Sequence, residues 1–201
     1  EYLLATHLND YIRVFGVDGI DEVWKDFSTS YTKSAYLPSL QDKYDSWSRL
    51  AKGQPAPGFT YTSIDGKEVS LSDFEGKVVY VDVWATWCGP CKREIPASKE
   101  LKKKMGGKDV VFLYVSVDEN KDAWQDYLAN DPEFKGVHLI TGTGWKSDIT
   151  DEYMIDGIPR YLLIDREGNI ATASAPRPSS GEKIEDLINE TLTMDYGPAG
   201  D

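Results

Sequence analysis

The feature that most constrains this chain is an apolar run that leads directly into its only two cysteines. Residues 77–84, KVVYVDVW, are apolar at nearly every position, which is typical of a strand buried on both faces of a sheet. The segment ATWCGPCKREIP follows at 85–96 and places Cys88 and Cys91 three positions apart, at the start of a helix predicted from Pro90 to about Met105. Both cysteines are therefore expected at the carboxyl end of a buried strand, where the next helix begins.

The chain after residue 53 alternates predicted strands and helices. The predicted elements are a hairpin from Phe59 to Leu71 across Asp65-Gly66, a strand from Val110 to Val117, a helix through Trp124 and Leu128, a hairpin from Tyr161–Ile164 to Ile170–Ala173 across Glu167-Gly168, and a last helix through Ile184 and Leu192. Such alternation predicts an α/β protein with helices on both faces of a sheet.

Residues 1–52 read instead as three helices, and the segment 54–58, QPAPG, marks a boundary that no helix continues through. The third helix is predicted to open on a capping arrangement of Ser39 and Asp42 and to stop at Gly53. The expected apolar faces are Leu4, Leu8, Tyr11, Ile12 and Phe15 in the first helix, and Ile20, Val23, Trp24, Phe27 and Tyr31 in the second. We therefore expect a helical N-terminal segment at 1–52, which would suit the end of a larger upstream domain. A second domain is expected at 53–201.

Composition excludes some classes of function. The 201 residues carry a formal net charge of −12, which disfavours nucleic acid or an anionic membrane as the main partner. No run approaches the roughly 20 apolar residues of a membrane span. The chain begins at Glu1, without Met or a signal peptide, as expected of a mature protein or a piece cut from a longer one.

Three interpretations of the cysteine pair differ in how much of the sequence they explain. A structural disulfide over so short a loop removes little chain entropy. A zinc site wants four ligands, and only His7 and His138 exist beyond the two thiols, neither at zinc spacing. A redox couple fits best, because the helix N-terminus would stabilise the thiolate of Cys88 and lower its pKa, while Cys91 lies one turn further in, shielded from solvent. No metal is expected.

Trp87-Cys88-Gly89-Pro90-Cys91 resembles the active-site sequence of thioredoxins, and the match extends over about residues 54–195. The resemblance implies that Asp82, six residues before Cys88, is a buried aspartate that manages the proton of the inner cysteine. It also implies that Gly157-Ile158-Pro159 ends in a cis-proline beside the disulfide. The implied catalytic residues are Cys88, Cys91, Asp82 and Glu94, and the implied substrate-binding residues are Trp87, Gly89, Pro90, Ile158 and Pro159.

More specifically, the sequence is similar to the extracytoplasmic thioredoxin-like proteins of the TlpA/ResA type. Residues 53–79 add a hairpin before the first core strand, Glu94 matches a glutamate near the disulfide, and Asp118 lies 41 positions before Pro159, which leaves room for an inserted strand and helix. The implied fold is thioredoxin-like, a central mixed β-sheet flanked by helices, with an N-terminal β-hairpin and the added N-terminal helices.

This resemblance also implies a role and a location. Proteins of this type reduce protein disulfides in the periplasm or another extracytoplasmic part of the cell envelope, often anchored through a segment absent here. They receive electrons from an upstream thiol donor, which can be membrane-bound. We expect no cofactor apart from the redox-active Cys88–Cys91 disulfide. Neither a nucleic acid nor a metal is expected as a partner.

Some features depart from the family pattern and leave alternatives open. Tyr114 stands where thioredoxins have a lysine, Arg160 follows the proline where they have a small polar residue, and Asp82 occupies a position that is neutral in several exported relatives. A thiol peroxidase is an alternative, but such enzymes need Thr or Ser three residues before the reactive cysteine, where this chain has Ala85. A disulfide oxidase or isomerase and a non-catalytic binding module are the others.

Overall fold

A computed structural model describes residues 1–194 as seven helices and seven strands, with three short 3₁₀ turns. The helices are α1 (Tyr2–Phe15), α2 (Asp21–Ser30), α3 (Leu37–Ser48), α4 (Gly89–Lys104), α5 (Lys121–Ala129), α6 (Asp148–Glu152) and α7 (Glu182–Thr193). The strands are β1 (Thr60–Ser63), β2 (Glu68–Ser70), β3 (Val78–Trp84), β4 (Val110–Ser116), β5 (Val137–Ile140), β6 (Arg160–Ile164) and β7 (Ile170–Thr172). The end of the second predicted domain, residues 195–201, lies outside the described residues.

The seven strands form one mixed sheet in the order β2-β1-β5-β4-β3-β6-β7. Strands β3, β4 and β5 are parallel to one another, whereas the pairs at both edges are antiparallel. All seven residues of β3 are buried, because the strand has a neighbour on either side and apolar side chains on both faces. The predicted α/β fold with a central mixed sheet is therefore confirmed, and the cysteines follow its central strand.

Both predicted hairpins are present. The β1–β2 hairpin turns at Asp65-Gly66, where Gly66 has a φ of +79° that favours glycine. It pairs with β5, which together with α5 forms the strand and helix expected between Asp118 and Pro159. The boundary segment runs beside β7, since Gly53 N donates to Ile170 O. These insertions extend the sheet at its β5 edge without disturbing the centre.

The N-terminal helices pack onto the same hydrophobic core as the sheet, but each helix departs from its prediction in some detail. In α1 the buried residues are Ala5, Leu8 and Ile12, whereas Tyr11 and Phe15 are 39% and 55% exposed. Their rings contact each other on the outer surface, with centroids 5.1 Å apart. The face that α1 buries is therefore narrower than its apolar pattern suggested.

The second helix buries Trp24 and Phe27, while Val23 is 45% exposed. The third begins at Leu37, two residues before the predicted cap, and the structure shows no side-chain cap there. Pro38 explains the earlier start, because proline suits the first helical turn, where its missing N–H is not needed. The helix ends at Ser48, and Gly53 lies in the turn that follows.

Candidate active site

The two cysteines form a disulfide at the N-terminus of α4. Cys88 is the N-cap residue, and its Sγ accepts a hydrogen bond from the backbone N–H of Cys91 at 3.1 Å. The sulfur stands here in the position that a thiolate would occupy in the reduced protein. A helix N-terminus favours a negative charge at that atom, through its unpaired N–H groups and its dipole. Gly89 and Pro90 supply the first helical residues between the two sulfurs.

The predicted cis-proline lies beside this disulfide. The Ile158–Pro159 peptide bond is cis, and the carbonyl oxygen of Ile158 lies 3.8 Å from Cys88 Sγ. Cys88 and Cys91 are only 5% and 3% exposed, whereas Trp87 is 57% exposed. The structure thus brings the disulfide together with an exposed aromatic ring and with half-buried backbone at Ile158 and Pro159.

Asp82 is buried in the middle of the sheet, as predicted, and is 4% exposed. It pairs in register with Tyr114 of β4 and Tyr161 of β6. Its Oδ1 makes no hydrogen bond within the described residues. Burial raises the pKa of the Asp82 carboxyl well above its usual value, and the nearby negative charge of Glu94 raises it further. This carboxyl is therefore suited to hold a proton under conditions where an exposed aspartate has lost it.

Glu94 lies on α4, three residues after Cys91, and is buried. Its Oε2 accepts from the backbone N–H of Ser179 at 3.0 Å, and its Oε1 accepts from the Ser179 hydroxyl at 2.9 Å. The largely exposed guanidinium of Arg177 lies 3.7 Å from Oε1. The carboxylate therefore fastens α4 to the turn before α7, and it acts on Asp82 through charge rather than through a hydrogen bond.

A second buried aspartate, Asp118, holds the loop that carries Cys88, a contact that the sequence did not predict. Its carboxylate accepts from the Thr86 backbone N–H at 2.8 Å and from the Thr86 hydroxyl at 2.7 Å. The Ser116 hydroxyl donates to the same carboxylate at 2.6 Å. The available signal was topological: Asp118 follows β4, and parallel neighbouring strands end at the same edge of a sheet.

The sequence also did not predict that Trp145 lies near the cysteine loop. It lies in a 3₁₀ turn, Gly144–Lys146, after β5, and its ring centroid is 6.3 Å from that of Trp87. It is 43% exposed, so two exposed tryptophan rings lie side by side next to the loop that carries Cys88. Nothing in the local sequence marked this position, because the inserted segment brings it there from more than fifty residues away.

The positions that depart from the thioredoxin pattern have other partners. The Tyr114 hydroxyl shares a hydrogen bond of 2.8 Å with the Ser98 hydroxyl, and its ring stacks on His138. Burial lowers the pKa of His138 to about 4, and its Nε2 bonds Phe134 O at 2.7 Å, as a core histidine would. Across residues 1–194, no group of three or more His, Cys, Asp or Glu side chains is placed to hold a metal ion.

Arg160, directly after the cis-proline, reaches the N-terminal helices. Its Nη1 donates to Val14 O at 3.0 Å, and its guanidinium lies 5.5 Å from the ring centre of Trp47. The hydroxyl of Ser174 donates to the same Val14 oxygen at 2.9 Å. The end of α1 is thus hydrogen-bonded to the strand that follows Pro159.

Comparisons with known proteins agree with this geometry. The family model described as Redoxin matches residues 51–188. The thiol-disulfide oxidoreductase ResA of Bacillus thuringiensis subsp. konkukian is 30% identical over 145 residues, covering 72% of this chain and 78% of the relative. ResA of Bacillus subtilis is 28% identical over 145 residues, covering 72% of this chain and 76% of that one.

Solved structures give the same result. A crystal structure of a Bacteroides vulgatus protein assigned as a thiol-disulfide oxidoreductase has a TM-score of 0.66 and 43% sequence identity. It covers 72% of this chain and 99% of that one. The residues matched by the family model contain the cysteine loop, the central sheet and the cis-proline, whereas α1, α2 and α3 all lie before the match. The chain belongs to the Redoxin family and is a ResA-like, thioredoxin-fold thiol-disulfide oxidoreductase that works through its Cys88–Cys91 disulfide.

Proposed function

We propose that this protein reduces disulfides of other proteins in an extracytoplasmic compartment. The observation that carries the proposal is the position of Cys88 Sγ, at the N-terminus of α4 and 3.8 Å from the carbonyl of Ile158. A thiolate is favoured at a helix N-terminus. The similarity to ResA supports the reducing direction over oxidation or isomerisation.

In the proposed reaction the reduced protein attacks a substrate disulfide. The Cys88 thiolate forms a bond to one substrate sulfur, and the other substrate sulfur leaves with the electron pair of the broken S–S bond. Cys91, as a thiolate, then attacks Cys88 Sγ and displaces the remaining substrate sulfur. The substrate gains two electrons and two protons as two thiols, and the Cys88–Cys91 disulfide is formed. An upstream thiol donor, membrane-bound or free, restores the dithiol by the reverse exchange.

Asp82 is proposed as the group that accepts the proton of Cys91 before the second attack. Burial and the charge of Glu94 raise the pKa of Asp82, so this carboxyl can hold a proton where an exposed aspartate has lost it, which supports a role in proton exchange with Cys91. Asp82 interacts electrostatically with Glu94 on α4, the helix that carries Cys91. Glu94 is proposed to tune this carboxyl through its charge.

The substrate strand is proposed to lie against Ile158 and Pro159, where backbone groups can pair with it as a strand pairs with a sheet edge. Trp87, with Gly89 and Pro90, forms the opposite side of the contact. Large aromatic rings contribute much of the burial in protein contacts, which supports Trp87 in this role.

The cell envelope is the proposed location, on the basis of the similarity to ResA. Within residues 1–194, no helix combines the length and the apolar character needed to cross a bilayer. We also propose that residues 1–52 form a helical segment distinct from the thioredoxin-like domain at 53–201. The family match, which begins at residue 51, supports that division.

Capture of the covalent intermediate tests the proposal. Cys91→Ser keeps the nucleophile and removes the releasing thiol, so it should accumulate mixed disulfides with a small set of envelope proteins through Cys88. Cys88→Ser and the double variant are the matched controls and should capture none, and added reductant should release every adduct. If Cys91→Ser forms no adducts while the wild type consumes peroxide, the reductase proposal is wrong and a thiol peroxidase takes its place.

The direction of the reaction is tested by equilibrating the Cys88–Cys91 couple with glutathione. A reductase should have a potential near that of thioredoxin, about −270 mV, whereas a strong oxidant lies near about −120 mV. A value near the second would contradict the reducing direction and would leave the oxidoreductase activity itself untouched.

A further inference from the structure

A cleft of about 680 Å³ lies beside the cis-proline, between the end of α1, the edge of the sheet and α7. We refer to it as the Arg160 cleft. Six of its lining residues define it: Phe15, Pro159, Arg160, Arg177, Lys183 and Leu187. Pro159 lines the cleft, and its neighbour Ile158 contacts Cys88, so the cleft opens directly next to the redox site.

The charge of this cleft is opposite to that of the chain. Overall there are 34 Asp and Glu against 22 Lys and Arg, yet the described residues that line the cleft include three cations and no carboxylate. Within residues 1–194, Arg160 and Lys183 form no ion pair, although the charge of Asp156 acts on Arg160 from outside the cleft. Arg177 has Glu94 as its partner at 3.7 Å, but its side chain remains 62% exposed. A concentration of one sign of charge in a concave site attracts ligands of the other sign.

The apolar side chains that line the Arg160 cleft also suit a peptide ligand. Phe15, 55% exposed, supplies an aromatic face from α1, and Leu187 supplies an aliphatic one from α7. Arg160 Nη1 donates to Val14 O, and its Nε and Nη2 are buried without a hydrogen-bond partner in residues 1–194, so its charge lies fixed in the wall of the cleft. An extended chain advances about 3.3 Å per residue, so a strand lying on Ile158 and Pro159 would bring residues close to its target cysteine into this cleft.

We infer that the Arg160 cleft recognises an acidic segment of the substrate protein, with Asp or Glu side chains within a few residues of the attacked cysteine. The inference rests on the proposed reduction of protein disulfides and names its substrate class. Arg160, Arg177 and Lys183 supply the charge, and Phe15 contributes an apolar contact. Electrostatic recognition of this kind mainly raises the rate of association with the substrate, and its effect weakens as the salt concentration rises.

The test uses the pre-reduced full chain and short synthetic peptides with one internal disulfide. The peptides are identical except for two glutamates, two glutamines or two lysines on one flank of the disulfide, with each flank examined in turn. Oxidation of Cys88 and Cys91 is followed in a single turnover by alkylation and mass measurement. At low salt the glutamate peptide should react about tenfold faster than the lysine peptide, and the ratio should fall towards one in about 0.5 M salt.

Lys183→Gln should reduce the ratio, and Lys183→Gln with Arg177→Gln should reduce it further. The single variant leaves the Arg177–Glu94 pair intact. Lys103→Gln is the matched control, because Lys103 is exposed and does not line the cleft, and it should keep the wild-type ratio. Equal rates for the three peptides, or an unchanged ratio in the double variant, would overturn the acidic-segment inference alone. If the wild type reduces none of the peptides, the proposed reductase function fails as well.

Discussion

Two buried aspartates stand near the carboxyl ends of neighbouring parallel strands, and their surroundings differ. Asp82 lies in β3, with one carboxyl oxygen that makes no hydrogen bond within residues 1–194. Asp118 follows β4, and its carboxylate accepts hydrogen bonds from both polar groups of Thr86 and from Ser116. The two are about equally buried, 4% and 2% exposed, so burial alone does not distinguish them.

The difference lies in what compensates the lost hydration. For Asp118 hydrogen bonds replace water, and the result is a fixed loop in front of Cys88. For Asp82 desolvation is the largest influence on its pKa, and the charge of Glu94 adds to it. A carboxyl surrounded in this way prefers to keep its proton. One aspartate is therefore suited to hold structure, and the other is suited to exchange a proton.

The largest effect should follow from removing the acceptor at Asp118. Asp118→Ala leaves the Thr86 N–H and two hydroxyl groups without their acceptor, so the free energy of unfolding should fall by about 3 kcal/mol. Denaturant unfolding of the oxidised protein measures the change. Ser116→Ala is the smaller comparison: its hydroxyl donates to the Asp118 carboxylate and accepts from the Asp118 backbone N–H, so the expected loss is about 2 kcal/mol. If Asp118→Ala loses less stability than Ser116→Ala, the structural role of Asp118 is contradicted.

Asp82→Asn should raise the free energy of unfolding, whereas Asp118→Ala should lower it. The gain in Asp82→Asn should also depend on pH. The folded pKa of Asp82 is raised, so the wild type has its full stability below the unfolded pKa and loses stability as pH rises towards the folded pKa. Asparagine does not ionise and escapes this loss. The free energy of unfolding of Asp82→Asn, relative to that of the wild type, should therefore increase as pH rises from 4 to 7. Denaturant unfolding at the two pH values measures it, and a difference independent of pH would show that Asp82 has an ordinary pKa.

A smaller effect should follow from Glu94→Gln. Removing this charge should lower the pKa of Asp82, while the larger influence of burial keeps that pKa above its ordinary range. The Asp82 carboxyl carbon can be titrated by NMR in the oxidised protein. Ser179→Ala removes one hydrogen bond to Glu94 and leaves the charge, so it should shift the titration less. An Asp82 pKa that stays unchanged or rises in Glu94→Gln would exclude the proposed tuning.

The sequence predicted the centre of the molecule better than its periphery. The strand before Cys88, the helix after it and both hairpins follow from local apolar patterns and turn residues, which act within a few positions of the chain. The cis bond at Pro159 was expected through family resemblance, since the dipeptide alone does not require it.

What the sequence did not predict depends on contacts between distant segments. Tyr11 and Phe15 continue the apolar pattern of α1, but the core covers only the face carrying Leu8 and Ile12. Trp145 reaches the redox site only because the insertion around β5 brings its turn there. The contact of Asp118 with Thr86 spans 32 positions and required the order of the strands. Side-chain pairing across a sheet edge has no local signature.

The most direct test of this account separates the two chemical steps at the disulfide. Pre-reduced protein is mixed with a peptide disulfide and quenched at successive times, and mass measurement follows the Cys88 adduct as it forms and decays. Asp118→Asn is the matched buried-carboxyl control, and its adduct should decay at close to the wild-type rate.

If Asp82 accepts the proton of Cys91, Asp82→Asn should form the adduct normally and slow its decay at least about tenfold near neutral pH. The deficit should shrink as pH rises and Cys91 ionises without help. An adduct that decays at the wild-type rate at every pH in Asp82→Asn would contradict the proton-transfer role and leave Asp82 a buried residue of the sheet.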